Sequence, residues 1–288
     1  MQNYNSKSKL LRKQIVVIYH LNCADGFGGA WAAWKYFGSK ADYIGIQPGS
    51  APISGLKNKE IYFIDVIYKP EAIKKLIKNN KRVTAIDHHI SGEQAVKMTE
   101  CYSYAVGHSG SVLAWQYFHF NKPVPKLLLY IEDMDLWKFK LAYSQEINAF
   151  VDLYDFDFRK RNELAALIES KSGFRKAVGG GRIVLMHEQK LVDRMIKDNA
   201  ELVSFEGYKI LAINSPNFVS RIGDFLRKIN PPLAIIWSER AGKIIVSLRS
   251  DGSVNVSKIA VRYGGGGHKA AAAFSFPAGR DFPWKILK

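Results

Sequence analysis

Aspartate and histidine residues stand at the ends of three apolar segments of the sequence. QIVVIYH is followed by Asp25, EIYFID ends in Asp65, and RVTAIDHH ends in Asp87, His88 and His89. Carboxylates and neutral imidazoles bind divalent cations, and both move protons in acid–base catalysis. The pattern predicts a metal or acid–base centre to which these separated side chains contribute together.

Each of these groups also has a structural explanation. An Asp-Gly pair after a strand, as at Asp25, is more often a simple turn, and a lone Asp65 at a strand end is weaker still as a signal. Asp87-His88-His89 is harder to explain in this way. Two adjacent imidazoles and a carboxylate would all need partners near the buried edge of a sheet. The functional interpretation therefore depends most on this triplet.

A third acidic group occurs in YIEDMDLW, where Glu132, Asp133 and Asp135 fall within four residues. Such a group is unremarkable as the solvated face of a helix. Its apolar neighbours favour a partly buried site instead.

Four glycines, Gly264–Gly267, precede His268 and Lys269 near the end of the chain. Glycines allow successive backbone N–H groups to point at one anion, and the two side chains add donors and charge. A flexible linker is the alternative, but apolar sequence on both sides argues against it. The segment predicts an anion-binding loop.

Helical patterns over residues 29–37 and 69–80 alternate with the three apolar segments. This alternation predicts an α/β fold with a doubly wound, mainly parallel sheet. Ligands of such sheets bind at the carboxyl ends of the strands. His20, Asp25, Asp65 and the triplet would all lie at that edge.

Alternating strand-like and helical segments in the last part of the sequence predict a second, smaller α/β domain, joined to the first by a long helix. Gly179–Gly181 reads as a break, and residues 183–202 read as one helix. The predicted organisation is a catalytic domain over 1–182, a helical connector over 183–205 and a C-terminal domain over 206–288.

The formal net charge of +16 favours a polyanionic partner such as nucleic acid, nucleotide or polyphosphate. A generally basic proteome is the alternative. No apolar run approaches the roughly 20 residues that cross a bilayer, so no membrane association is expected. Two cysteines cannot make a disulfide framework, which indicates a reducing cytoplasmic environment.

The DHH triplet at residue 87 and the GGGH sequence at residue 265, in this order, resemble the motifs of the DHH/DHHA1 phosphoesterase superfamily. That superfamily includes RecJ-type exonucleases, oligoribonucleases acting on very short RNA, cyclic-dinucleotide phosphodiesterases and some polyphosphate-cleaving relatives. The resemblance covers nearly the whole chain. It implies a DHH domain followed by a DHHA1 domain.

The resemblance also implies a role for each motif residue. Asp65 would bridge two cations, His89 would face the scissile phosphate with Asp87 beside it, and the cations would be Mn²⁺, with Mg²⁺ or Co²⁺ as alternatives. For the last metal ligand Asp133 is preferred over Asp135. The implied metal ligands are His20, Asp25, Asp65, His88 and Asp133, and the implied substrate-binding residues are Arg249, Gly265, Gly266, Gly267 and His268.

Two positions depart from the motifs of the superfamily. The first motif usually has two aspartates, Asp-x-Asp, whereas this chain has Cys23-Ala-Asp25 one residue closer to His20. A thiolate suits softer metals than Mn²⁺ or Mg²⁺. The first metal site is therefore weakened or takes another metal, or Cys23 is a small core residue, which is the interpretation we favour. Ala273 replaces a usual glycine.

By this resemblance the chain is a metal-dependent phosphodiesterase acting on short oligonucleotides or cyclic dinucleotides. Hydrolysis of polyphosphate is a second hypothesis. A third is a nucleotide-binding protein whose altered first motif has removed catalysis. Oligonucleotides, cyclic dinucleotides or another phosphorylated polyanion are the expected partners, and homodimerisation is left open.

Overall fold

The computed structural model describes residues 11–287 and divides into two compact units, one up to Leu185 and one from Met186. The first ten residues of the predicted catalytic domain lie outside the described residues. The predicted boundaries at 182 and 205 stay predictions.

The first unit contains a five-stranded, all-parallel sheet with the strand order β2-β1-β3-β4-β5. Its strands are β1 Ile15–His20, β2 Ala41–Ile46, β3 Glu60–Ile64, β4 Arg82–Asp87 and β5 Cys101–Tyr104. The predicted parallel α/β sheet is confirmed. The three predicted strands are the three central ones, and the two edge strands were not predicted.

Helices pack on both faces of this sheet. The helices that begin in the first unit are α1 Ala24–Phe37, α2 Pro70–Asn79, α3 Glu93–Lys97, α4 Gly110–Phe118, α5 Lys126–Asp135, α6 Ser144–Val151, α7 Phe158–Glu169 and α8 Lys171–Asn199, and the part of α8 from Met186 belongs to the second unit.

Alternation along the strands creates the two faces, because successive side chains of a strand point to opposite sides. Val17 and Ile64 pack with residues of α1, α4 and α5. Val16, Ile18 and Phe63 instead pack with residues of α2 and α3. Both sets are fully buried, so the sheet is apolar on each side and polar groups collect at its ends.

The glycines of the predicted break lie inside α8, which runs through them without interruption. A Cβ atom at Gly181 would lie 1.8 Å from the carbonyl oxygen of Glu146, and one at Gly180 would lie 2.8 Å from a ring atom of Phe150. The glycines therefore let α8 pack closely against α6. The prediction of a break was wrong because these glycines serve packing and not flexibility.

The second unit is a seven-stranded sheet with the order β10-β11-β9-β8-β7-β6-β12 and two helices. The strands are β6 Ala200–Phe205, β7 Tyr208–Asn214, β8 Leu233–Arg240, β9 Lys243–Ser250, β10 Gly266–Gly267, β11 Ala271–Pro277 and β12 Lys285–Ile286, and the helices are α9 Val219–Ile229 and α10 Val256–Arg262.

The amino-terminal end of this sheet overlaps the predicted connector. Residues 183–202 were predicted as helical, but α8 ends at Asn199 and β6 begins at Ala200. A smaller C-terminal α/β unit is nevertheless present as predicted. Over residues 11–287, no helix has both the length and the apolar character needed to cross a bilayer.

Candidate metal centre

Asp65 lies at the centre of the polar cluster, immediately after β3, with a left-handed backbone (φ 59°) and a nearly inaccessible side chain. Its Oδ2 atom is 3.2 Å from His20 Nδ1 and accepts a hydrogen bond from Cys23 Sγ at 3.6 Å. Its Oδ1 atom is 3.3 Å from His88 Nε2 and 3.6 Å from His89 Nδ1. The two oxygens of one carboxylate therefore face two different groups of ligand atoms.

Asp25 is held in the first turn of α1 by backbone amides. The N–H groups of Gly110 and Ser111, at the start of α4, donate to its Oδ2 and Oδ1 at 2.7 and 2.9 Å. A Cβ atom at Gly110 would lie 3.1 Å from Asp25 Oδ2, so glycine permits this approach. Gly26 has a similar role, since a Cβ there would lie 2.5 Å from the carbonyl oxygen of His20. These glycines bring β1, α1 and α4 together around one carboxylate.

His88 connects the elements, because its buried Nε2 lies between carboxylates from different parts of the chain. It is 3.8 Å from Asp25 Oδ2 and 3.5 Å from Asp135 Oδ2. Three overlapping groups of potential ligand atoms, each within 4.8 Å, result. They are His20, Cys23 and Asp65; Asp25, His88 and Asp135; and Asp65, Asp87, His88 and His89.

The structure places Asp135, and not Asp133, beside His88. Both carboxylate oxygens of Asp133 accept backbone hydrogen bonds instead, from Lys140 at 2.9 Å and Leu141 at 3.1 Å. Residues two apart in a helix point about 200° from each other, so only one of the pair can face the cluster. The preference for Asp133 as the last ligand is corrected to Asp135, the predicted alternative.

Glu132, the third acid of this segment, also has its own contacts. Its Oε2 atom accepts the N–H of Ser109 at 2.9 Å and lies 3.1 Å from His108 Nδ1. It thereby holds the residues that lead into α4, whose first amides bind Asp25. The sequence shows that three acids lie close together, but it does not show that each of Glu132, Asp133 and Asp135 contacts a different part of the site.

Asp87 fixes the two histidines that follow it. Its Oδ1 atom accepts the backbone N–H groups of His88 at 2.7 Å and His89 at 3.1 Å, and it lies 2.7 Å from His89 Nδ1. Burial alone would lower the pKa of His89, but the hydrogen bond to Asp87 and the charges of Asp87, Asp65 and Asp135 together outweigh burial and raise that pKa to about 9. Asp87 is therefore placed to orient and charge the His89 ring.

Cys23 belongs to the polar cluster and not to the core, which corrects the interpretation favoured from the sequence. It precedes α1, is only partly buried, and directs its Sγ atom toward Asp65. Burial and the nearby carboxylates of Asp65 and Asp25 raise the pKa of this thiol. In the metal-free protein Cys23 is a neutral thiol, and only a bound cation would favour its thiolate.

The carboxylates of the cluster repel one another at low exposure. Burial and the charge of Asp65 raise the pKa of Asp25 to about 6. Burial, Asp25 and Asp65 likewise raise the pKa of Asp135 well above its usual range. Burial would also raise the pKa of Asp65, but the hydrogen bonds to His20 and His88 and the charges of His89 and His20 together outweigh burial and hold that pKa well below its usual range.

This electrostatic arrangement fits a divalent cation. A cation relieves the repulsion among three carboxylates, and the donor set of imidazole nitrogens and carboxylate oxygens suits ions such as Mn²⁺. Asp65 directs one oxygen toward each of two groups of potential ligand atoms. These residues therefore fit the metal centre that the sequence predicts.

The second unit brings together the other predicted substrate residues. Arg249 on β9 pairs with Ala271 on β11, one turn after His268. The Arg249 guanidinium donates to Ser220 Oγ and to the carbonyl oxygen of Leu248, each at 3.0 Å. Arg249 and the glycine segment thus lie at one end of the same sheet.

The glycine segment does not present a row of outward N–H groups, as the sequence had suggested. The N–H of Gly264 donates to Val261, that of Gly265 to Ala260, and that of His268 to Ala271. Gly266 and Gly267 form β10 and pair with β11. A Cβ at Gly265 would lie 2.0 Å from the carbonyl oxygen of Ala273. At least part of this glycine pattern therefore serves close backbone packing.

Residues 208–283 match the DHHA1 domain family, so this part of the chain is identified independently of the cluster. An uncharacterized protein of Acanthamoeba polyphaga mimivirus is 28% identical over 286 residues, which cover 91% of this chain and 67% of that protein.

Two solved structures share the fold. One is RecJ from Thermus thermophilus in complex with Mn²⁺, at a TM-score of 0.54 and 16% identity, covering 92% of this chain and 49% of RecJ. The other is PggH from Vibrio cholerae, described as a pGpG-specific phosphodiesterase, at a TM-score of 0.50 and 12% identity, covering 92% of this chain and 94% of PggH.

Proposed function

We propose that this chain, which resembles the DHH/DHHA1 phosphoesterases in its motifs and matches the DHHA1 domain family over residues 208–283, uses divalent cations to hydrolyse phosphodiester bonds of short oligonucleotides or cyclic dinucleotides. The observation that carries this proposal is the position of Asp65. One of its oxygens faces His20 and Cys23, and the other faces His88 and His89. This arrangement supports a carboxylate shared between two ions.

His20, Asp25, Asp65, His88 and Asp135 would hold the cations. Bound divalent cations supply charge neutralisation at the phosphoryl group and an acidified water as nucleophile. The chain itself contributes the fixed positions of its ligands, since Gly110 and Ser111 orient Asp25 through their amides. His88 binds as a neutral imidazole, so protonation would compete with metal binding.

His89 would act on the phosphoryl group directly. The hydrogen bond from its Nδ1 side to Asp87 orients the ring and favours the protonated form. A charged imidazole can donate a hydrogen bond to a phosphoryl oxygen as negative charge builds up there. Asp87 would then be a positioning residue and His89 the catalytic one.

The choice of substrate rests on charge and on similarity. The net charge of +16 favours a polyanionic ligand. PggH, which has the same fold over nearly its whole length, is described as acting on the dinucleotide pGpG. A dinucleotide-sized substrate is therefore the first to test.

The test is a substrate panel with Mn²⁺, Mg²⁺, Co²⁺ and Zn²⁺. It would contain a linear dinucleotide, a cyclic dinucleotide and polyphosphate, each assayed with wild-type protein, His88→Ala and His187→Ala. His187 is an exposed histidine on α8 and serves as the matched control. We expect mononucleotides from the dinucleotide, strong loss in His88→Ala and normal rates in His187→Ala.

Two other outcomes would replace the proposal. Orthophosphate from polyphosphate, without cleavage of nucleotides, would identify a phosphoanhydride hydrolase. Tight nucleotide binding without turnover under every metal would identify a binding protein. The first explanation to test would then be that Cys23, in place of the usual aspartate, has removed catalysis. An unchanged rate in His88→Ala would remove the metal-centre mechanism.

A further inference from the structure

A groove of about 750 Å³ opens beside the metal centre within the first unit. Asp65, Asp87 and His89 line one end, and Lys69 and Lys75 of the α2 region line another part of its wall. Its volume lies in the range of sites that bind small organic ligands. None of the sequence motifs includes its two lysines.

Another part of the groove wall is a turn in the loop between β2 and β3. The N–H of Ser50 donates to the carbonyl oxygen of Gln47 at 3.0 Å, and Gly49, with φ 78°, supplies the left-handed residue that such a turn needs. The loop is also tied to Tyr68, which lines the groove as well, because the N–H of Ile53 donates to Tyr68 Oη at 3.2 Å. The wall is therefore held in place.

Asn80, just after α2, fastens the other end of the same loop. Its side-chain amide donates to the carbonyl oxygens of Leu56 at 3.1 Å and Leu76 at 2.9 Å. Its side-chain oxygen accepts the N–H of Lys59 at 3.1 Å. With both ends of the loop attached to α2 or its neighbours, the groove is preformed and a ligand need not order it.

The chemistry of the lining suits a nucleotide. Pro48, Pro52 and Ile67 offer apolar surface, and the two exposed lysines offer positive charge, partly offset by Glu71. Lys74 and Lys78 belong to the same helix and are equally exposed, but do not line the groove. The helix thus has lysines both on the groove and away from it.

We propose that this groove binds the nucleotide adjoining the scissile phosphodiester, with Lys69 and Lys75 contacting the outer phosphate of that nucleotide. The proposal rests on the proposed phosphodiesterase activity and adds a specificity site to it. The end of the groove formed by Asp65, Asp87 and His89 places the scissile group at the metal centre. The apolar wall receives the base or sugar, and the lysines lie beyond it.

The test compares dinucleotides that differ only in an outer phosphate: NpN, pNpN and NpNp. In Lys69→Gln/Lys75→Gln, we expect KM for the preferred phosphorylated dinucleotide to rise about 5- to 10-fold relative to KM for NpN, because two exposed charge contacts are lost. In Lys74→Gln/Lys78→Gln, that ratio should equal the wild-type ratio. Glu71→Gln should change it in the opposite direction, toward tighter binding of the phosphorylated form.

Equal effects of the two double variants would overturn the groove proposal, since bulk charge alone would then explain them. So would an unchanged ratio in Lys69→Gln/Lys75→Gln. If the wild-type protein cleaves none of the dinucleotides, the proposed activity fails separately. Equilibrium binding of pNpN, NpNp and NpN to the same variants, with Ca²⁺ in place of Mn²⁺, then decides whether the groove recognises the outer phosphate.

Discussion

The metal centre of the first unit and the glycine segment of the second use their polar groups in opposite ways. Around Asp65, side chains from β1, β3, β4 and α5 direct oxygen and nitrogen atoms at one another, although two of the carboxylates are destabilised by the crowding. Along Gly264–His268, backbone donors are used within the sheet and its adjacent helix. In the first region buried carboxylates repel one another, and a bound cation would reduce that repulsion. In the second region the backbone hydrogen bonds are largely satisfied within the protein.

This difference separates two kinds of sequence signal. Clustered titratable side chains at strand ends indicated chemistry, and the structure assembles them. Clustered glycines indicated anion binding, and the structure gives several of them a steric reason that requires no ligand. Substitutions can therefore affect activity in one region and stability in the other.

The largest expected effect is that of Asp65→Asn. Loss of the shared carboxylate should lower phosphodiester hydrolysis by about 1000-fold or more and weaken Mn²⁺ binding, measured by steady-state rates and by metal titration. Asp42→Asn is the control, because Asp42 contacts only the chain near Lys13 at the far end of the sheet among the described hydrogen bonds. Near-normal turnover in Asp65→Asn would show that the two oxygens of Asp65 do not serve the reaction.

Gly265→Ala should be the most destabilising change in the glycine segment. The added Cβ would meet the backbone of Ala273, so the sheet must shift, and the free energy of unfolding should fall by about 3 kcal/mol. Gly266→Ala is the matched control, since a Cβ there has open space, and it should change stability by less than about 0.5 kcal/mol. Urea unfolding measures both. A stable Gly266→Ala protein with greatly reduced activity would show that the glycine segment also serves activity, and not only stability.

Asp25 should make the metal-free protein less stable as pH rises. The folded state holds the Asp25 proton with a pKa of about 6, whereas an unfolded aspartate has a pKa near 3.9. Its contribution is therefore fully present below about pH 4 and is lost as pH rises through about 6, by roughly 3 kcal/mol. Denaturant unfolding in EDTA across this range, compared between wild type and Asp25→Asn, isolates the contribution.

Mn²⁺ should reverse the sign of that pH dependence, because the ion binds the deprotonated carboxylate. If the free energy of unfolding in EDTA changed with pH in the same way for wild type and Asp25→Asn, the repulsion between Asp25 and its neighbouring carboxylates would not contribute to stability.

The smallest expected effects distinguish two neighbouring aspartates. Asp135→Ala should reduce the rate of hydrolysis about 100-fold, because it removes a carboxylate 3.5 Å from His88 Nε2. Asp133→Ala should instead lower the free energy of unfolding by about 2 kcal/mol, because the backbone amides of Lys140 and Leu141 lose their acceptor. Rates per folded molecule and urea midpoints check the pair. The reverse result would restore Asp133 as the ligand.

Much of the fold was predictable because local patterns determined it. The three central strands of the first sheet lie in the apolar segments that ended in aspartate and histidine residues, so their positions followed from the sequence. The edge strands ADYIGI and CYSY are short and partly polar, so periodicity could not distinguish them from loops. The strand Ala271–Pro277 is also hard to recognise from the sequence, because alanine is depleted in strands.

The site was predictable in its side chains but not in its backbone. His20, Asp25, Asp65 and His88 converge because parallel strands end at one edge. The choice between Asp133 and Asp135 depended on where α5 turns, and the amides of Gly110 and Ser111 carry no sequence signature beyond a helix start after Ser109. Contacts of this kind are set by tertiary packing, which a local pattern does not record.

The hydrogen bonds from the backbone amides of Gly110 and Ser111 to Asp25 have a consequence for folding during synthesis. The two amides lie 85 and 86 residues downstream of the carboxylate they hold, and Asp135 follows later still. A nascent chain that has emerged as far as His88, just after β4, already carries four of the five proposed ligands. It has neither the two amides that hold Asp25 nor the fifth ligand, Asp135. If these residues hold the proposed cations, tight ion binding would require α4 and α5 to have docked, and a bound ion would then indicate completed folding.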